Sequence, residues 1–143
     1  MFYISIMRND EWLNQRLNQI WELLFSDIER KNVVKARFKG KWKNKFGHIK
    51  KLKDNSSEIA VNSLFINEIV PEYIIDLVLA HELAHYSHGF NSPLPQKYKY
   101  PHKGGVVSKE LKKRGFGHML VKERIFIKKS WWPIYQKLTG KRV

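Results

Sequence analysis

Apolar residues recur at spacings of three and four through Leu13, Leu17, Ile20, Leu24 and Ile28, and Trp12, Trp21 and Phe25 widen the stripe. That period predicts a first helix, capped by Asn9 or Asp10, with its apolar face turned to the core. It carries no evident chemistry. From Val33 to Asn62 the texture changes. Val33–Phe38, Phe46–Lys51 and Glu58–Asn62 read as strands, punctuated by turn residues at Gly40, Gly47 and Asp54-Asn55-Ser56-Ser57. Lys39, Lys41, Lys43 and Lys45 alternate with Gly40, Trp42, Asn44 and Phe46. If that segment is extended, it presents one lysine face and one partly aromatic face.

Val70 to Ala80 is largely apolar and leads directly into His81-Glu82-Leu83-Ala84-His85. The run predicts a long, mostly buried helix, with Pro71 suited to its first turn and Glu72 and Asp76 to its positive end. The helix must end near Gly89. Pro93 and Pro95 then open a basic, tyrosine-containing loop that reaches Gly104-Gly105. A short helix over Val106–Arg114 is broken at Gly115 and Gly117. His118–Ser130 reads as a last major helix, which Pro133 kinks or ends before Ile134, Tyr135 and Leu138. No internal repeat or long linker appears, so residues 1–143 are expected to form a single domain. The expected class is α+β: a small antiparallel sheet of about three strands packed on a central metal-binding helix, with N- and C-terminal helices.

The pentapeptide from His81 to His85 has the His-Glu-x-x-His form of a zinc metallopeptidase helix. Residues four apart share a helical face, so both imidazoles can address one metal ion. Glu82, one residue past the first ligand, can reach a metal-bound water, the position of a general base. The plain alternative is a core helix whose histidines are satisfied by hydrogen bonds. Burying two imidazoles and a carboxylate among Leu, Val and Ala without a shared partner is costly, which favours the metal.

Composition narrows the ligand set. The chain has no cysteine, which excludes disulfides, thiolate nucleophiles and cysteine zinc sites, so histidine and carboxylate must hold any Zn2+. Catalytic zinc takes three protein ligands and leaves a position for water. The remaining histidines are His48, His88, His102 and His118. His88 sits at the fraying end of the same helix. His48 lies on a strand, where it is suited instead to polarising a substrate carbonyl. His102 follows 16 intervening residues (86–101), enough to fold back over the helix, and precedes Gly-Gly and a helix start. It is the favoured third ligand, with His118 the alternative.

Charge adds a second theme. Lys and Arg number 27 against 13 Asp and Glu, a net charge of +14. That excess is the electrostatic footprint of a nucleic-acid binder. Met1–Met7 lacks a basic n-region and a cleavage site, and no apolar run approaches about 18 residues. A monomeric, intracellular protein of the cytoplasm or nucleoid is expected, with no membrane partner.

Glu58-Ile59-Ala60-Val61-Asn62-Ser63-Leu64, followed by Pro71 through His85, resembles the core of the SprT-like and YgjP-like minimal metallopeptidases. Lys41-Trp42 and Gly47-His48-Ile49 are loosely similar to a further segment of that family, with Lys43-Asn44 in place of Gly-Ser. The resemblance covers roughly Val33 to Pro93. It implies a SprT-like domain in which His81 and His85 bind zinc, Glu82 is the general base, and a later loop histidine before Gly and a helix, here His102, completes the set. YgjP-like members place that histidine where this chain has Asn91. The resemblance further implies a protease acting on proteins crosslinked to DNA. Such a mechanism needs a further donor for the oxyanion, for which His48, Tyr98 and Tyr100 are the candidates.

Two other readings compete. The pattern His81-x-x-x-His85 with Gly89-Phe90 is partly similar to the YbeY-type ribonucleases, which usually carry Gly where this chain has Glu82. A non-catalytic basic nucleic-acid-binding module is the third.

Overall fold

The computed structural model describes residues 7–142. The apolar opening segment, apart from Met7, lies outside them. Helix α1 spans Asp10–Leu24, and the Asn9 side chain caps it by accepting from the Trp12 amide. Leu13, Leu17, Ile20 and Trp21 are buried along its inner face, as the apolar spacing predicts.

Three strands follow: β1 (Val34–Phe38), β2 (Gly47–Lys51) and β3 (Ser57–Val61). The sheet is mixed, in the order β1-β3-β2, with β1 parallel and β2 antiparallel to β3. This corrects the expectation of an antiparallel sheet. The reason lies in composition: Ile59, Ala60 and Val61 are fully buried, whereas β2 is mostly polar and suits an edge. The most apolar strand therefore takes the centre, between its two predecessors. The outer edge of β1 is closed by α1. Asn14 bonds both the amide and the carbonyl of Ala36, and Asp10 accepts from the Phe38 amide. Side chains thus complete the unpaired edge. The Lys39–Phe46 segment is not a strand but an irregular loop between β1 and β2, so its lysines do not form the single face expected of extended chain.

Helix α2 (Glu72–Ser87) is the centre of the molecule. It packs against α1, β2, β3 and the later helices α3 (Val106–Lys113) and α4 (Gly117–Phe126). Ile74, Ile75, Leu79, Ala80 and Ala84 are completely buried, on several sides of the helix. A helix apolar all round belongs inside. Arg16 on α1 grips Asp76 with two hydrogen bonds of 2.6 and 2.8 Å, tying α1 to α2. The buried Arg8 guanidinium donates to the carbonyls of Phe65, Asn67 and Val70, which fixes the chain entering α2.

The C-terminal helix is longer than expected. After α4 a π-helical turn over Ile127–Trp131 leads straight into α5 (Trp132–Thr139). Pro133 neither ends nor breaks the rod. It falls at the start of α5, and the wider π turn before it accommodates its ring and its missing amide. Trp131 is buried there against Phe46 and Phe65 at 5.1 and 5.4 Å between ring centres. Among the described residues no helix is long and apolar enough to cross a membrane.

Gly47, at the start of β2, allows the strand to lie directly on α2. A Cβ there would stand 2.5 Å from Val78 Cγ1 and 2.6 Å from the Ala60 carbonyl oxygen. Gly47→Ala is therefore expected to destabilise the fold by about 1–3 kcal/mol, the usual cost of overpacking. Urea denaturation of the two proteins measures it, and equal midpoints would refute the close approach.

Candidate metal and catalytic centre

The third and fourth turns of α2 carry His81, Glu82 and His85, and the helical repeat places the two imidazoles together, 5.0 Å between ring centres. The fully apolar surroundings that bury α2 also bury Glu82 (5% exposed) and His85 (1%). His81 is more open, facing the solvent side of the helix.

The loop after α2 brings in a third imidazole. Gly89 turns the chain at φ +79°, a conformation that favours glycine, and a Cβ there would collide with the Pro95 carbonyl. The Lys97 amide then donates to the His88 carbonyl and the Ser92 hydroxyl to the Tyr86 carbonyl, so the loop folds back on the helix end. His102 arrives 4.7 Å from His85, with Phe90 packed against both rings. Gly105, left-handed, starts α3 immediately afterwards.

His118 is elsewhere. It is exposed at the start of α4 beside Phe116 and lines none of the cavities that touch His81. His88 points away as well: its Nε2 meets Glu110 Oε1 at 2.8 Å, in a buried network that continues through Arg114 to Asp27. Asn91, in the slot where a YgjP-like histidine would stand, donates instead to the Ile49 carbonyl at 2.9 Å.

Three cavities meet at His81. One of about 410 Å³ is lined by His48, His81, Glu82, His85 and His102. A smaller one, about 200 Å³, lies between His81, His85 and the loop turn at Pro101-His102. The largest, about 450 Å³, runs from His81 and Glu82 to Glu123, Trp131 and Trp132. Sequence reasoning missed Glu123 and Trp131, since a lone Glu and a Trp in a helix carry no motif. It also missed how the cavity wall is held. Buried Asn62 donates to the carbonyls of Trp42 and Lys45, and the Trp131 indole donates to the Lys43 carbonyl at 2.8 Å. Asn62 was visible only within a resemblance, not as a clamp.

The donor chemistry suits a soft-to-borderline divalent ion. Desolvation, helped by neighbouring imidazoles, pushes His81 down to about 4 and His85 to about 3, so both are neutral near pH 7, the form that ligates. Buried His85 Nδ1 has no hydrogen-bond partner, and neither ring nitrogen of His48 has one. Such orphaned nitrogens are unusual and call for a partner. Among the described residues, however, no three His, Asp or Glu side chains form a ready-made metal cage as they stand. The cluster is a set of donors around a cavity. Burial pushes Glu82 up to about 8, with Lys45 opposing.

No protein-family model matches the chain, and no curated protein or solved structure matches it at a significant level.

The two kinds of shift have opposite signs in stability. The lowered, buried His85 favours the fold above its ordinary value of 6.5 and loses that contribution as pH falls toward 3. The raised Glu82 costs stability increasingly from its ordinary 4.5 up to about 8. In metal-free protein, Glu82→Gln should therefore raise the melting temperature above pH 8 and not below pH 4.5. The ring-proton NMR shifts of the buried His85 should stay flat from pH 8 down to about 5. Titration of His85 near 6.5 would contradict the burial argument.

Proposed function

We propose that the chain is a zinc metallopeptidase that hydrolyses peptide bonds in proteins held near DNA, with a motif that resembles that of the SprT-like and YgjP-like peptidases. The observation that carries the reading is the meeting of Glu82 with the imidazoles of His81, His85 and His102 around one cavity. His81 and His85 come from α2 and His102 from a loop 16 residues further on.

His81, His85 and His102 would hold the zinc. Bound there, the ion supplies a Lewis acid that acidifies water and polarises a carbonyl. In the metal-free site burial keeps the Glu82 carboxyl protonated near neutral pH; a cation held by the three imidazoles would favour its carboxylate, the form that would take the proton of the attacking water and deliver it to the leaving amine. His48 lines the same cavity, kept neutral by burial and by Lys45, Lys50 and Lys39, and is our candidate donor to a carbonyl oxygen. The edge strand β2 contributes Gly47, His48 and Ile49 to the cavity wall, with the Ile49 carbonyl on the outer edge already held by Asn91. The net charge of +14 supports a substrate resident on nucleic acid.

Purified protein should contain about one zinc per chain. His85→Ala and His102→Ala should lose it, and His118→Ala should keep it. Glu82→Gln should keep zinc and lose about 10²–10⁴-fold in cleavage of DNA-bound protein, the usual worth of general acid–base catalysis. Metal analysis and gel-based proteolysis read both. Undiminished cleavage by Glu82→Gln would sink the mechanism, and cleavage of RNA instead would shift the reading to the ribonucleases.

Affinity for DNA should fall steeply between about 50 and 200 mM salt as counterions are released. Fluorescence polarisation with Glu82→Gln should give the same salt slope as the unaltered chain. A salt-independent affinity would remove nucleic acid from the account.

A further inference from the structure

We propose that the cavity of about 450 Å³ beside His81 and Glu82 is a specificity pocket for a lysine or arginine side chain of the substrate, and that Glu123 recognises its charged end. The proposal rests on the peptidase reading for its place in a reaction, and on the cavity itself for its chemistry.

Three observations carry it. First, the pocket opens from the same two residues, His81 and Glu82, that border the candidate centre, so a side chain in it belongs to a peptide bound there. Second, its walls are Phe46, Trp131 and Trp132, with Trp131 fixed by its indole bond to the Lys43 carbonyl. Flat, rigid rings suit a chain of methylenes. The volume falls within the range of small-ligand sites. Third, Glu123 on α4 brings a carboxylate into this apolar wall. It is half-buried, and desolvation is all that perturbs it: no cation or donor among the described residues compensates its burial. A carboxylate in that position is short of a positive partner.

Lys43 and Lys45 also line the cavity and favour the opposite charge. Each is turned to an aromatic ring: Lys45 Nζ lies 4.7 Å from the centre of Trp42, and Lys43 Nζ 5.9 Å from that of Trp132. Neither comes within ion-pair distance of Glu123. The preference for a basic side chain also agrees with a substrate that itself neutralises phosphates, since such proteins are rich in Lys and Arg.

The test uses metal-free Glu82→Gln protein, so that binding is read without turnover. Acetyl-Ala-Ala-Lys-Ala-Ala-amide is titrated and compared with peptides holding norleucine or glutamate in place of the lysine. The indole N–H signals of Trp131 and Trp132 report occupancy by NMR. The lysine peptide should bind about tenfold or more tightly than norleucine, a 1.4 kcal/mol difference. Adding Glu123→Gln should abolish that preference, and Glu123→Asp should keep part of it; circular dichroism confirms that each variant folds. Equal binding of norleucine, tighter binding of glutamate, or a lysine preference that survives Glu123→Gln would overturn the proposal. Failure of the two readings is separable: lysine preference in a protein without zinc or cleavage removes the peptidase and keeps the pocket. A zinc-dependent peptidase indifferent to lysine does the reverse.

Discussion

Helix α2 is packed on almost every side, and its polar chemistry sits inside that packing. Each fully buried Leu or Ile along it contributes about 1.5–3 kcal/mol, so the helix can carry Glu82 and His85 into the interior at a net gain. The same desolvation keeps His81 and His85 neutral and raises Glu82. A neutral imidazole pair beside a proton-holding carboxyl is thus a direct product of burial. The neighbouring imidazoles add to the effect on the histidines, and Lys45 opposes it at Glu82.

Everything around α2 serves to hold two loops against it. One runs from β1 to β2 and is clamped by Asn62 from β3's end and by the Trp131 indole. The other returns from the end of α2 and is held by the Lys97–His88 and Ser92–Tyr86 bonds. Buried His88, which might have competed as a ligand, is consumed by Glu110, and Arg114 and Asp27 extend that network to the end of α1. The anchoring leaves His102 beside His85 and opens the cavities on the exposed side of α2.

The electrostatics divide in the same way. Lysines are abundant across the chain, and the cavity of about 450 Å³ holds both signs: Glu82 and Glu123 lie in its walls together with Lys43 and Lys45. Burial raises both carboxyls, whereas each lysine is turned to an aromatic ring.

Local pattern was enough for most of the elements. The period of α1, its Asn9 cap, the three strands and the buried run leading to His81-Glu82-x-x-His85 are set by residues close in sequence, and each was legible there. The loop length and the Gly104-Gly105 turn favoured His102, with His118 kept as the alternative. What the sequence could not decide was order and juxtaposition. β3 entered the centre of a mixed sheet because its neighbours in space were more polar, a comparison no local window makes. Pro133 was absorbed because a π-turn formed ahead of it to bury Trp131 against Phe46 and Phe65. His118 and His102 had similar claims on paper, and only the fold-back of the loop separated them. Glu123 acquired meaning only when α4 packed on α2, since a carboxylate's chemistry depends on what surrounds it, and tertiary packing supplies that.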